Sequence, residues 1–591
     1  MAKPTGPRQA AHISAPSGGW IVAMRRAWAR DAPILLWSLL LALLILGPGL
    51  GPGYLLVRDM VWVPDLALRS DFLGLGSGLP RAVPSDAAIA VLDELAPRML
   101  LQKLVLLAAL AGGGLGATRL LPGEPDRHQL VTRLVVATVY GWNALVAERL
   151  LMGAWPVLVG YAVLPWLLVA GRRWRVEGRF PLVLLALVPV GCLSASAGLA
   201  TAVAVLAATA GRGRTLRATL LVAAANAPWW VAGLLHAGSA TSDAAAAEVF
   251  ALRGEGSVPG PLAALTLGGI WNTSVQPDAR TGLLGWAALF ALLGLAAVGW
   301  SSWWRRTPAR DRATLLICWG IGWGIAVLTW LAPGGVGLVS AHVPGVGVVR
   351  DGARTLVLCA PLLVVLVGEG VRVVARRAPA VTAARIALAV GAVLLPIALL
   401  PDLAFGVSRQ LRPAHYPAAY AEARTLLEGG PGDVLVLPLS TYRAPAWNHG
   451  QLVLDPIGRY LTPDYVASDV LVVDGTPLSG EDPRVADAAA ALELPTPAER
   501  SAALAAMGIG AVAVDPRAPG PAPPELAGDV LLDTPDLRVL RLEGVVEREV
   551  DRWWYVAMAA AWAAFVLPLV WATSSGLRRL AGRRRRTVPR R

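Results

Sequence analysis

Charge is scarce in this chain. Only 16% of its 591 residues are Asp, Glu, Lys or Arg, against about 25% in soluble globular proteins. That excludes an ordinary water-soluble enzyme. Lysine is nearly missing: of 53 basic residues only Lys3 and Lys103 are lysines, a compositional bias without functional meaning. The three cysteines, Cys192, Cys318 and Cys359, lie inside apolar stretches without a partner at metal-ligand spacing. They read as small core hydrophobes. His236 and His342 have no H-x-x-H partner, so no histidine metal centre is expected. A G-x-x-x-x-G-K-[ST] loop and a G-x-S-x-G elbow with a plausible triad are both missing, which excludes a P-loop ATPase and a serine hydrolase.

What remains is apolar: 55% hydrophobic residues and a mean hydropathy of +0.56. Disordered chains are poor in such residues. Here they gather in blocks near 32–50, 99–121, 131–148, 154–170, 180–194, 196–210, 217–236, 281–300, 313–331, 355–374, 386–404 and 554–574. Blocks of about 18 residues or more are the signature of membrane-spanning helices. The expectation is a twelve-span α-helical polytopic membrane protein. The split between 180–194 and 196–210 rests only on Ser194, Ser196 and Gly198. The first block is kept as a span because no A-x-A cleavage pattern follows it.

The formal charge of +13 invites a nucleic-acid reading, but its distribution points to the bilayer. With the N-terminus inside, the cytoplasmic segments hold 31 of the Lys and Arg residues and the short external loops 9. Such asymmetry orients a membrane protein. Both termini are expected in the cytoplasm of a plasma-membrane protein, the RRRR run at 583–586 facing anionic headgroups, with no nucleic-acid partner. The resulting map has a basic N-terminus (1–31), eleven spans (32–404) with a long external loop (51–98), an external domain (405–553), a last span (554–574) and a basic tail (575–591).

Segment 405–553 differs in kind, with 21 acidic residues against 12 arginines. Runs at 433–439, 469–475, 510–516 and 537–544 read as strands, and 416–430 and 497–510 as helices ending at Gly. A small α/β domain is expected, able to fold alone and not required to form the active cavity.

Four external stretches carry chemistry-bearing residues. The loop 51–98 is long for a membrane protein, a sign of function. In it Arg58-Asp59 falls about eight residues past the first span, where a carboxylate in a partly dry cleft acts as a general base on a hydroxyl. The bland alternative is a solvated loop whose acids cap short helices. WNALVAERLLMGAW (142–155) puts Glu148-Arg149 at a span's external end between Trp142 and Trp155. Charges there are often paired or functional; an interfacial ion pair with aromatic anchors is the bland reading. HVPGVGVVRDGARTL (342–356) brings Arg350, Asp351 and Arg354 to the lipid–water boundary, where arginine clamps phosphate bidentately. LGGIWNTSVQPDAR (267–280) holds Trp271, Asn272 and Asp278.

The long first external loop with an early acid, the many spans and the late external domain resemble the GT-C superfamily of membrane glycosyltransferases. The segments 142–166 and 344–357 look like actinobacterial AftD-like arabinofuranosyltransferases and YfhO-type membrane proteins. The resemblance covers most of residues 30–400. It implies transfer of a sugar from a polyprenyl-phosphate donor to a cell-envelope glycan or glycolipid at the external face. The family's catalytic acid matches Asp59 best and Asp65 second. Arg350 and Arg149, with Arg58 and Arg354, would hold the donor phosphate; Trp62, Trp271 and Asn272 would meet the sugar. The family's acid pairs (DD, DxD, ExD) do not occur between 51 and 92, so no cofactor is required and a divalent cation is optional. A lipid-linked-glycan flippase and a glycan-binding scaffold are the competing readings.

The loop count generates a first prediction. Reporter fusions at residues 430 and 588 should report opposite compartments; two cytoplasmic signals would overturn the sidedness.

Overall fold

The structure is a computed structural model. It describes residues 19–78, 82–95, 97–123, 129–238, 243–378, 381–473, 476–478, 480, 482–520 and 522–585. The basic stretch before residue 19, Arg81 and the arginines from 586 onward lie outside the described residues.

The chain is a polytopic membrane protein, a helical bundle with a small α/β domain. Its bundle comprises α1 (Gly19–Leu46), α2 (Arg98–Ala117), α3 (Leu130–Gly141), α4 (Ala144–Leu151), α5 (Trp155–Glu177), α6 (Val183–Gly191), α7 (Ala195–Thr209), α8 (Arg214–Leu235), α9 (Leu283–Arg306), α10 (Ala309–Leu331), α11 (Ala360–Arg377), α12 (Thr382–Leu399) and α13 (Arg552–Arg585). Among the described residues nine stretches are long and apolar enough to cross a membrane, counting α3 and α4 together. A 3₁₀ segment, Gly352–Leu358, bent 48° onto α11 makes a tenth. The α3–α4 stretch is the innermost, 83% buried, while α12 is 11% and α13 17% buried. Outer helices show Leu394, Val566 and Trp571 outward, as expected where lipid is the solvent.

The span count differs from twelve at 180–210. Helix α6 has nine residues, about 14 Å at 1.5 Å per residue, too short for a hydrocarbon layer of about 30 Å. Helix α7 runs parallel to α5, with Gly160 against Ala197 and Gly171 against Ala208. It therefore ends at the end of the bundle where α6 begins. The pair is a hairpin entering and leaving by one end, turned by Cys192–Leu193 and capped by Ser194, whose side chain accepts from Ala197 N–H. Hydropathy averages across such a turn and registers two blocks. A hairpin and two crossings return the chain to the same side, so the loop asymmetry is unaffected.

Another break is built at Asn143. Its extended backbone interrupts α3–α4 and its side chain caps α4 through Val146 N–H. The amide Nδ2 donates to the Val139 and Tyr140 carbonyls and to Tyr161 Oη. Tyr140 and Tyr161 stack at 4.2 Å, and Trp142 Nε1 donates to the Leu400 carbonyl at 2.8 Å. Backbone groups freed by the break thus find partners, as membrane burial demands.

The main sheet of the α/β domain has five strands: β1 (Asp433–Leu437), β2 (Tyr465–Val466), β3 (Ile509–Val514), β4 (Asp529–Asp533) and β5 (Arg538–Arg541). Their order is β4-β5-β3-β1-β2, with β1 parallel to both β2 and β3 and the β3-β5-β4 side antiparallel. Leu435, Leu437, Val466 and Val512 fill one face against Ala488 and Leu504 of the helices Pro483–Leu492 and Pro497–Ala506. The stretch expected as a strand at 469–475 holds one at Leu471–Val473, which lies outside the main sheet and pairs with Thr476–Leu478.

The first loop is ordered by this domain rather than free. Tyr54–Leu55 pair antiparallel with Pro413–Ala414. Arg69, 6% exposed, donates to the carbonyls of Gly458, Arg459, Leu461 and Pro463 at 2.8–3.0 Å and lies between the Phe72 and Tyr465 rings. Arg459 pairs with Asp86. Asp71 N–H donates to Asp464 Oδ1 at 3.2 Å.

Burial, and then the neighbouring Asp464 carboxylate, pushes the Asp71 carboxyl up to about 7. A raised folded-state value means that docking binds a proton. That contribution is fully present below about pH 4 and is lost as pH rises through about 7. Hydrogen exchange at residues 69–75, corrected for intrinsic rates, should show protection falling between about pH 4 and about pH 7. Asp71→Asn should flatten that profile; an unchanged slope would assign it elsewhere.

Candidate functional site

Helix α4 is the centre of the site. Glu148 and Arg149 are each 1% exposed, and no water shell neutralises them, so the chain must. Glu148 faces Glu255. Glu255 accepts from Arg280 Nε at 2.8 Å, and the same guanidinium donates to Thr266 Oγ1 at 2.8 Å. Arg149 Nη1 lies 3.5 Å from Asp351 Oδ2, which also accepts from Arg354 Nε at 2.8 Å. The Arg350 guanidinium sits 4.8 Å over the Phe250 ring, and Phe250 meets Trp271 edge-on at 4.6 Å.

Several atoms of this network have no hydrogen-bond partner among the described residues: Arg149 Nε and Nη2, Glu148 Oε1, Glu255 Oε1, Asp351 Oδ1 and Trp271 Nε1. Buried polar atoms are rarely left so, and each costs about 1–3 kcal/mol. Six such atoms lie in this one cluster.

Arg58 and Asp59 reach the same helix from the first loop. Arg58 adopts a left-handed backbone, φ +42°, a conformation costing about 1–3 kcal/mol unless its surroundings enforce it. They do: its N–H donates to Leu452 O at 2.7 Å, and Leu454 N–H donates back to its carbonyl at 2.8 Å. Its guanidinium caps the end of α4 at Leu151 O, 2.9 Å, and reaches Ser274 Oγ at 3.0 Å. Burial lowers its affinity for the proton, opposed by Tyr442 and Asp59. Asn272 holds Ser274 through its Oδ1, at 3.1 Å from the N–H and 2.6 Å from Oγ. Asp59 N–H donates to Met152 O at 3.2 Å, and Asp59 Oδ1 accepts from the Tyr442 hydroxyl at 2.6 Å. Asp59 as a residue is half-buried.

Of the nine residues singled out from the sequence, seven gather around α4: Arg58, Asp59, Arg149, Trp271, Asn272, Arg350 and Arg354. Two are placed elsewhere. Asp65 is paired with Arg424 at 3.0 Å, fastening the loop to the α/β domain. Trp62 is 5% exposed and packs on Trp155 at 5.3 Å, so its ring belongs to the core. Trp271 is equally buried and offers an indole N–H rather than an open face. Sequence reasoning missed Glu255, Arg280 and Tyr442 as partners of the site. Glu255 had a faint signal, a lone acid between two glycines; Tyr442 had none. Among the described residues no group of three His, Cys, Asp or Glu is placed to hold a metal ion.

No protein-family model matches the chain, and no curated protein matches it. Among solved structures it is similar to the arabinofuranosyltransferase AftD from Mycobacteria, seen by single-particle cryo-EM. The TM-score is 0.52 at 17% identity, over 90% of this chain and 40% of that one. A mutant form of the same enzyme matches at a TM-score of 0.46 and 17% identity, over 90% and 42% of the two chains. This chain therefore spans about two-fifths of that enzyme's length, and the likeness is one of fold.

Gly153, just past α4, makes the convergence possible. At φ +76° a Cβ there would sit 2.2 Å from Met60 N and 2.4 Å from Val57 O, backbone against backbone with nothing flexible to give. Gly153→Ala should push the 57–60 turn off α4. The expected loss is about 2 kcal/mol, within the overpacking range, read as a lower melting temperature with faster exchange at 57–62. Wild-type values would show that the contact is dispensable.

Proposed function

We propose that this chain is a membrane glycosyltransferase that moves a sugar from a polyprenyl-phosphate donor to a cell-envelope glycan or glycolipid. The active face is the extracytoplasmic one, with both termini in the cytoplasm of a multi-pass plasma-membrane protein, as the 31-to-9 partition of basic residues supports. A single observation carries the reading: half-buried Asp59, bonded through its N–H to Met152 O, and Arg149, whose buried Nε and Nη2 have no partner among the described residues, meet at the one short helix α4. The fold of a known arabinofuranosyltransferase supports it.

In this reading Asp59 takes the proton of the acceptor hydroxyl as that oxygen attacks the anomeric carbon. The bond from that carbon to the phosphate oxygen breaks, and the lipid phosphate leaves with the electron pair. Arg149, flanked by Arg350 and Arg354, meets the charge developing on the phosphate, where fixed donors in a dry site act most strongly. Asp351 holds Arg149 and Arg354 in register. The donor's lipid-phosphate linkage supplies the driving force, so no nucleotide-binding loop is needed.

The test is sugar transfer in membranes from polyprenyl-phosphate arabinose and other polyprenyl-phosphate sugars. Asp59→Asn should lower kcat by about 10²–10⁴-fold, the usual worth of a positioned base. Asp65→Asn should change little, because its partner Arg424 belongs to domain docking. Arg350→Ala should raise the donor KM. Wild-type transfer by Asp59→Asn would remove the catalytic assignment. Glycan binding without transfer by wild type would favour a scaffold.

A further inference from the structure

Tyr442 belongs to the α/β domain, 383 residues along the chain from Asp59, yet its hydroxyl makes the shortest contact that the carboxylate has in the structure. We infer that Tyr442 is a positioning residue for Asp59, so that the α/β domain is a working part of the catalytic unit rather than an appendage. The inference rests on the reading of Asp59 as the base.

The geometry is fixed from both sides. Tyr442–Arg443 pair antiparallel with Val453–Leu454, Tyr442 opposite Leu454 and Arg443 opposite Val453. Arg58 joins this hairpin as a third strand, bridging Val453 in parallel through its two backbone bonds to Leu452 and Leu454. Asn448 Nδ2 adds a bond to Leu56 O at 3.0 Å. The hairpin is anchored in turn by Arg443, 5% exposed, whose Nε donates to Asp455 Oδ2 at 2.6 Å and whose Nη2 donates to Pro438 O at 3.1 Å, just past β1. Ser440 Oγ donates to the Tyr442 carbonyl at 2.8 Å. Tyr442 therefore cannot drift relative to the sheet, and Arg58 cannot drift relative to Tyr442.

The left-handed turn at Arg58 then aims the next side chain, Asp59, at the phenol. A hydroxyl donating to Oδ1 fixes the carboxylate plane and leaves Oδ2 to receive an incoming proton, since an ionised carboxylate has about four acceptor sites. Fixing that plane matters because reacting atoms must approach within about 3–3.5 Å, aligned. In the proposed mechanism Arg149, Arg350 and Arg354 meet the donor phosphate, whereas the Tyr442 hydroxyl bonds Asp59, so the tyrosine should influence turnover more than donor affinity.

The decisive variant is Tyr442→Phe in the full-length protein, which keeps the ring and removes only the hydroxyl. A hydrogen bond to a charged group is typically worth a factor of about 10–100. The expected result is a fall of that order in kcat, with donor KM within about twofold. In an Asp59→Asn background the same change should add less than about threefold to the residual rate, because coupled residues are not additive. A second readout needs no activity: carbodiimide labelling of Asp59, followed by mass spectrometry of the detergent-purified protein, should accelerate several-fold in Tyr442→Phe. If wild type transfers no sugar, the proposed function fails and the labelling decides whether Tyr442 holds Asp59. Unchanged kcat with unchanged labelling overturns the inference, and so does an equal fall in both backgrounds or a loss confined to KM.

Discussion

A glutamate and an arginine side by side on a helix that water does not reach impose their requirements on the rest of this molecule. Neither Glu148 nor Arg149 has a tolerable energy alone in a low-dielectric setting, where stranding one charge costs several kcal/mol. The answer is drawn from distant segments: Asp351 from the approach to α11, and Glu255 with Arg280 from the stretch between α8 and α9. Each of those segments brings neighbours with it. Arg354 and Arg350 come with Asp351; Trp271 and Asn272 come with Arg280. The cluster is thus assembled because charge must be compensated. Its unspent hydrogen-bonding capacity is a by-product of compensation by groups too few to satisfy every lone pair and N–H.

The membrane architecture was legible because hydropathy is a one-dimensional property: apolar runs and flanking arginines declare themselves without reference to partners. The α6–α7 hairpin was misjudged for the same reason, since direction is invisible to an average and only the close passage of Gly160 by Ala197 reveals it. Within the α/β domain the strands at 433–437, 509–514 and 538–541 and the helices at 418–427 and 497–506 followed period and punctuation. The five-residue strand 529–533 did not, because its outer face is open and its alternation weak. In the site, Arg58, Asp59, Arg149, Arg350 and Arg354 were visible as charges where charge is costly. Asp65 satisfied the same rule for a different reason, an ion pair at a docking surface, and Trp62 was an aromatic whose ring is needed in the core. Tyr442 was beyond reach, since nothing local marks a tyrosine whose partner lies elsewhere in the chain.

The first loop illustrates how a segment without regular structure of its own becomes exact. Its conformation is dictated by borrowed edges: a two-residue pairing at Tyr54–Leu55, a third-strand contact at Arg58, and a single guanidinium, Arg69, serving four carbonyls. Such multiple use of one side chain suits a loop that must present a carboxylate at a fixed height above a helix end. The left-handed Arg58 is affordable only in that setting.

The pairing of Arg58 with Val453 also sets an order of events in biosynthesis. Segment 54–58 leaves the ribosome early, but the strand that receives it is made almost four hundred residues later. At about 5–20 residues per second the first loop waits for roughly 20–80 s beside the membrane with its ladder groups unpaired. Through that interval the earlier helices can insert and pack and Arg149 can meet Asp351, but Asp59 still lacks its hydroxyl partner Tyr442. A nascent chain interrupted before residue 454 would hold every span except α13, with Arg58 still lacking the strand that receives it.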